Sequence, residues 1–298
     1  MFEVLRAYRS LIVAGLLVAA VSAAPAAGSV PASTSVWKVE TDSSVVYLIG
    51  SIHLLKESDF PLPPEMEEAF QDARTLVFEV NIDSAQTPRF QRFVLSKAVY
   101  EPPRTLQTEL GDSLYQALGA ELNGVGLDIA QVNQFEPWMV AEMFLVLKLQ
   151  QMGFDASLGV DRHFYDEAKA EGKTVRALET PEFQIDLFDS MPQALQRDLI
   201  VQSLAQASDM EEMIDDIIAD WRAGDLEGLE STVNKSLADY PELRDRLLSS
   251  RNRNWLKAID GYLKSRGRYL LVVGVAHMSG EDGLVHLLRE AGYSVEQL

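Results

Sequence analysis

The chain contains no cysteine in its 298 residues. That absence removes disulfide frameworks, thiolate zinc sites, iron–sulfur clusters, cysteine nucleophiles and a lipidated bacterial N-terminus. Basic residues are also scarce, with 26 Lys and Arg against 45 Asp and Glu and a formal charge of −19. Nucleic acid and anionic membrane surfaces need cationic patches, so nucleic acid is not an expected partner. No G-x-S-x-G elbow occurs, and Ser51 in GSIH lacks that context, which argues against Ser-His-Asp catalysis. Neither a Walker A nor a Rossmann glycine pattern is present, so no nucleotide cofactor is expected. At 47% hydrophobic and 24% charged, the composition is that of a globular chain. Its chemistry must come from Ser, His, Asp, Glu or a bound ion.

Long apolar runs are missing too, since a comfortable membrane span needs roughly 20 residues. The N-terminal run Leu11 to Val21 follows Arg6 and Arg9 and precedes the small residues of SAAPAAGS. A basic start, a short apolar stretch and a small-residue end describe a secretory signal peptide. Val21 and Ala23 suit the recognition positions, so cleavage is expected after Ala23. A retained N-terminal anchor is the competing reading. The expected organisation is a signal over 1–23, a flexible lead-in over 24–34 and one domain over 35–298. The mature protein is then periplasmic or secreted, with no stable membrane span after cleavage.

The body alternates strands and helices. SVWKVE (35–40) and SVVYLIG (44–50) are β-rich runs at hairpin spacing. Pro63-Pro64 opens a helix with acidic residues near its positive end. Further strands are expected at TLVFEV (75–80), KTVRALET (173–180) and RYLLVVG (268–274). From about 86 to 153 the pattern is mostly helical. Met210, Met213, Ile214, Ile217, Ile218 and Trp221 recur at helical spacing and read as core packing. The fold class is α/β: a central mixed sheet with flanking helices and a helical insertion spanning about 181–250.

Two stretches echo one another at opposite ends of the chain. VVYLIGSIHLL and YLLVVGVAHMS are each an apolar strand ending in Gly-x-x-His, from Gly50 to His53 and from Gly274 to His277. Ligands in open α/β sheets bind outside the carboxyl ends of strands. Glu79 and Glu179 end two other strands in a comparable place. Two imidazoles and two carboxylates on one cleft suit zinc, manganese, cobalt or iron rather than calcium. The competing readings are satisfied structural histidines and salt-bridged sheet-edge carboxylates. Asp161 is either a helix cap before HFYDEAK or a group that orients an imidazole. His163 reads as a supporting or structural residue, and His286 as exposed.

The combination GSIH, FEV, SLGVDRHF, GKTVRALET, RNRNW and VVGVAHMSGEDGLVHLLREAGYSV resembles the TraB/GumN family. The resemblance runs from about residue 36 to the C-terminus. That family is related to the Tiki metalloproteases and, more distantly, to erythromycin esterase and ChaN-like proteins. The resemblance implies an α/β fold whose GxxH motifs and acidic residues form a divalent-metal site. It maps the ligands onto His53, His277 and Glu79, with Asp161 as a further candidate. Glu179 falls in its LET segment, and Arg251 and Asn252 in its RN segment. The implied chemistry is metal-dependent, peptidase-like hydrolysis of a peptide or other carbonyl compound. Glu179 or Glu79 would act as general base, with Arg251 or Asn252 polarising the carbonyl. The alternatives are a peptide- or metal-binding regulatory protein without turnover, and an accessory protein for envelope or exopolysaccharide production.

Overall fold

The computed structural model describes residues 34–298, so the expected signal peptide and the lead-in up to residue 33 lie outside the described residues. The described residues begin with β1 (Val36–Glu40), β2 (Ser44–Ser51), α1 (Pro64–Asp72) and β3 (Thr75–Phe78). Its main helices continue as α2 (Pro88–Ala98), α3 (Asp112–Gly124), α4 (Pro137–Gln151) and α5 (Val160–Ala170). After β4 (Thr174–Ala177) come α6 (Pro181–Asp189), α7 (Gln193–Gln206), α8 (Met210–Ala223) and α9 (Leu226–Leu237). The chain closes with α10 (Ser250–Lys264), β5 (Gly267–Gly274), α11 (Leu284–Glu290) and β6 (Val295–Gln297). Among the described residues, no helix is long and apolar enough to cross a membrane.

Two compact units result, one of Ile82–Ala156 with Glu179–Met210, the other of 34–81, Ser157–Leu178 and Glu211–Leu298. The first is helical. Its core gathers Phe90, Leu106, Leu118, Leu122, Trp138, Phe144 and Ile200. α4 is apolar nearly all round, as a helix enclosed by neighbours must be, and α7 packs along it. Buried Gln196 is satisfied by donating to Glu136 Oε2 at 3.0 Å.

The second unit holds the sheet, a mixed six-stranded layer in the order β4-β3-β5-β2-β1-β6. β4, β3, β5 and β2 run parallel, whereas β1 is antiparallel to both β2 and β6. Buried parallel strands read as continuous apolar runs, because both faces are covered. Leu48, Ile49, Leu270, Leu271, Val272 and Val273 are accordingly all at 0% exposure. Truncating one of them, as in Leu271→Ala, is expected to cost about 2–5 kcal/mol. The β1–β2 hairpin closes over the short turn at Thr41, whose amide donates to the Ser44 carbonyl. The stripe from Met210 to Trp221 is buried as expected of core packing. Trp221 also donates from Nε1 to the Gly50 carbonyl at 2.6 Å, anchoring the end of β2.

Two strands are shorter than their sequence suggests. β3 stops at Phe78 and β4 at Ala177, so Glu79 and Glu179 lie beyond the strand ends rather than within them. In β3 the ladder with β5 ends at the Phe78–Val272 pair, and the Glu79 side chain is instead engaged by the Gly274 amide.

Candidate functional site

Strand register brings the echoed motifs together. In the parallel β2–β5 pair Ser51 lies opposite Gly274, and in the β3–β5 pair Phe78 lies opposite Val272. The carboxyl ends of β3, β5 and β2 therefore stand side by side, with β5 in the middle. Glu79, His277 and His53 follow directly from those ends.

The three side chains converge. Nε2 of His53 and Nε2 of His277 each lie 3.9 Å from the same oxygen, Oε1 of Glu79. Both imidazoles are held through the opposite ring nitrogen. Nδ1 of His53 lies 2.6 Å from Asp161 Oδ2, and Ser51 donates to the other oxygen of Asp161 at 3.0 Å. Nδ1 of His277 lies 2.6 Å from Asn252 Oδ1. An acceptor at Nδ1 places a proton there and leaves the lone pair of the neutral ring on Nε2. The Asn252 amide is fixed in turn by donating to the carbonyls of His277 and Asp282.

Arg251 completes the cluster. Its guanidinium donates to Glu79 Oε2 at 2.5 Å, to His277 Nε2 at 3.1 Å and to the Leu247 carbonyl at 3.0 Å. The Trp255 ring lies 4.7 Å from the guanidinium carbon and 4.3 Å from the His277 ring. The side chains are largely enclosed, with relative exposures of 15% for His53, 11% for Glu79, 5% for Arg251 and 3% for His277.

This enclosure sets opposite protonation tendencies on the two imidazoles. Burial pulls both toward the neutral form. For His53, the charge and hydrogen bond of Asp161, with Glu79 behind it, outweigh burial and lift the pKa to about 8. His277 has no carboxylate at Nδ1; burial and then Arg251 lower its pKa to about 3. Burial alone would raise the Glu79 carboxyl, but Arg251, the two imidazoles and the Gly274 amide hold it well below the carboxylate range.

Local backbone features aim these groups. The amide of Val160 donates to the Ile52 carbonyl at 3.0 Å, docking the start of α5 on the GxxH segment. A Cβ at Gly159 would fall 2.1 Å from the His53 carbonyl oxygen, so the GVD sequence needs glycine there to bring Asp161 to His53. The Gly274 amide donates to Glu79 Oε1 at 2.8 Å, and a Cβ there would meet Glu79 and His53 at 3.3 and 3.4 Å. Arg251 and Asn252 enter from the first turn of α10, directly after a five-residue π turn over Asp245–Ser249. Such turns re-aim the residues that follow them and recur at functional sites.

The second unit thus gathers His53, Glu79, Asp161, Arg251, Asn252 and His277. Asp161 holds an imidazole from within the first turn of α5, whereas Gly159 is the N-cap and no side chain caps the helix, so the capping reading gives way to the orienting one. Glu179 belongs to the helical unit, where its carboxylate accepts from Gln184 at 3.2 Å. His286 is exposed and pairs with Glu290. Sequence reasoning overlooked Ser51 as a partner of Asp161 and Trp255 as the floor under Arg251 and His277. Both stand within two or four residues of a predicted site residue, and that proximity was the available signal.

The donor set suits a divalent ion. His53, His277 and Glu79 offer two imidazole nitrogens and one carboxylate oxygen, with Asp161 and Asn252 behind the imidazoles in the manner that orients metal-bound histidines. Among the described residues, the His/carboxylate group whose ligand atoms all fall within 4.8 Å of one another is a separate one, Glu67, His163 and Glu167.

Comparison with known proteins agrees with the resemblance read from the motifs. The sequence model of the TraB/PrgY/gumN family matches residues 35–297. The chain is 25% identical over 246 residues to a protein of Escherichia coli (strain K12) named "Uncharacterized protein YbaP", covering 82% of this chain and 87% of that protein. Its Shigella flexneri namesake matches to the same extent. Those names carry no activity. No solved structure matches significantly.

Proposed function

As the chain belongs to the TraB/PrgY/gumN family, we propose that it is an exported, divalent-metal-dependent hydrolase of peptidase type, built on the His53–Glu79–His277 cluster. One observation carries this reading: two imidazole Nε2 atoms lie 3.9 Å from one carboxylate oxygen, each ring held from behind by an acceptor. Zinc, manganese or cobalt would be held by His53, His277 and Glu79. Such an ion, when bound, supplies a water of near-neutral pKa and polarises a carbonyl.

The surrounding side chains have definable tasks. Asp161 and Asn252 fix the ring orientations, and Asp161 also raises the basicity of His53. Glu79 is too acidic, between Arg251 and the Gly274 amide, to be an effective general base near neutrality, so it is assigned as a ligand. Arg251 supplies charged donors for a developing oxyanion or a substrate carboxylate. The substrate class is a peptide or another carbonyl compound met outside the cytoplasm.

The decisive measurement is metal content after purification from the native compartment, paired with cleavage of a peptide library. Stoichiometric metal and cleavage are expected, with cleavage and one metal equivalent lost in His53→Ala/His277→Ala; neither metal nor cleavage in the intact protein refutes the reading. Cell fractionation tests export, for which full-length protein retained in the cytoplasm is the contrary result. One observation favours a second reading, a regulatory peptide-binding protein without turnover. Arg251 already donates to Glu79 Oε2 and His277 Nε2, so two of the three candidate ligands are engaged by a guanidinium without any ion. Binding of peptides without cleavage would select it.

A further inference from the structure

The geometry points to a second divalent-cation site in the sheet-containing unit, formed by Glu67 of α1 with His163 and Glu167 of α5 and suited to zinc or a similar borderline ion. His163 and Glu167 are four residues apart on one helix, so they project from the same face. Glu67 reaches them from the other helix. Nε2 of His163 lies 3.0 Å from Glu67 Oε1 and 3.7 Å from Glu167 Oε2, and all three ligand atoms fall within 4.8 Å of one another. Ligands about 2.0–2.2 Å from a tetrahedral ion stand roughly 3.3–3.6 Å apart. The observed spacings bracket that separation, so small rotamer changes would close the shell.

An independent observation points into the same spot. Oε2 of Glu167 is shielded from solvent yet makes no hydrogen bond, although buried carboxylate oxygens ordinarily find donors. The atom left over is the one that faces the imidazole. A divalent cation would give Oε2 a close partner. The His163 ring is also fixed in orientation, edge-on to Phe60 at 5.8 Å and to Phe164 at 4.9 Å. A ring held this way has little freedom left to lose on ligation. Calcium fits poorly, because it takes oxygen donors in a larger shell.

The placement has a consequence for the unit. α5 begins with the residues that dock Asp161 on His53, and His163 lies two positions further on. A cation joining α1 to α5 would pin the turn that presents Asp161.

Zinc binding to the full mature chain tests the proposal by titration calorimetry. The variant Glu67→Gln/Glu167→Gln is expected to bind one equivalent fewer than wild type. In a His53→Ala/His277→Ala background, one equivalent should persist and should raise the melting temperature. Adding His163→Ala there should weaken it at least about tenfold, since even the outer partners of metal ligands cost that much when removed. The three side chains are a quarter to two-fifths exposed, so these variants should fold; far-ultraviolet circular dichroism checks this. If the double Gln variant binds as many equivalents as wild type with equal affinity, the site does not exist. That result leaves the His53–Glu79–His277 proposal untouched, just as loss of the other equivalent alone would leave this one standing.

Discussion

Asp161 Oδ2 lies 2.6 Å from His53 Nδ1, and this contact separates the two imidazoles of the site. His277 faces the neutral amide oxygen of Asn252 instead. One ring is thereby made more basic than free histidine and the other less, although both are enclosed by the same cluster.

The Asp161 contact should be visible in a titration. In chelator-treated protein, His53 should titrate near 8, and Asp161→Asn should lower that value because the amide keeps an acceptor but loses the charge. Nuclear magnetic resonance of the imidazole ring protons measures it directly. An unchanged His53 pKa in the variant would remove Asp161 from this role.

The same shifts shape stability against pH. His53 has a folded pKa above its unfolded 6.5, so its contribution is complete below 6.5 and is lost as pH rises through about 8. That contribution is about 2 kcal/mol. His277 works in the opposite direction: its folded pKa of about 3 lies below 6.5, so stability falls as pH drops from 6.5 toward 3. Glu79 adds to the acid-side loss, because its folded pKa is depressed. Denaturant unfolding of metal-free protein should therefore show greatest stability near pH 6.5 from these groups, with the alkaline decline removed by Asp161→Asn.

Much of this site was legible in the sequence because it sits where local patterns end. The apolar runs of β2 and β5 mark buried strands, and Gly50 and Gly274 mark where they finish, so His53 and His277 could be placed beyond a sheet edge. Glu79 followed by the same logic. The adjacency of these ends was not legible, since it depends on β5 inserting between β2 and β3. The Asp161 role stayed ambiguous because a capping acid and an imidazole-orienting acid have the same local sequence. The pairing of Glu67 with His163 joins residues 96 positions apart, beyond the reach of any helical period. His163 and Glu167 by themselves look like an ordinary solvated i, i+4 pair.

Removing Arg251 should make the protein more responsive to metal. Arg251→Ala leaves the Glu79 carboxylate enclosed without its guanidinium partner, which breaks a buried pair at a cost of about 3–5 kcal/mol. A divalent ion at Glu79 would supply the missing positive charge. Differential scanning fluorimetry should thus find a lower melting temperature for the variant without metal and a larger rise on adding zinc or manganese than in wild type. Equal metal-induced shifts would mean that Arg251 and the ion do not share Glu79.

Asn252→Ala should act through the ring behind it. The buried Nδ1–H of His277 loses its acceptor at 2.6 Å, and an unsatisfied buried donor costs about 1–3 kcal/mol. Metal affinity at the His53–Glu79–His277 cluster should also fall by about 10–100-fold, the usual effect of removing the partner that orients a ligand histidine. Asn252→Asp offers the control, since it restores an acceptor and should recover affinity more than stability. If Asn252→Ala alters stability but not affinity, the residue supports the fold alone.

Two glycine substitutions separate folding from site geometry. A methyl group at Gly159 would lie 2.1 Å from the His53 carbonyl oxygen, a distance that demands backbone movement. At Gly274 the nearest atoms, Glu79 Oε1 and His53 Nε2, are 3.3 and 3.4 Å away, and side chains can yield a few tenths of an ångström. Gly159→Ala should therefore be destabilised by at least the roughly 1–3 kcal/mol of an overpacked core and should lose the Asp161–His53 contact. Gly274→Ala should unfold close to the wild-type midpoint while metal affinity changes, because the added methyl presses on the two candidate ligands. Urea midpoints and zinc titrations on the same preparations measure both effects. The opposite ordering, with Gly274→Ala the less stable protein, would mean that the carboxyl end of β5 is more tightly packed than the junction between α5 and the first GxxH segment.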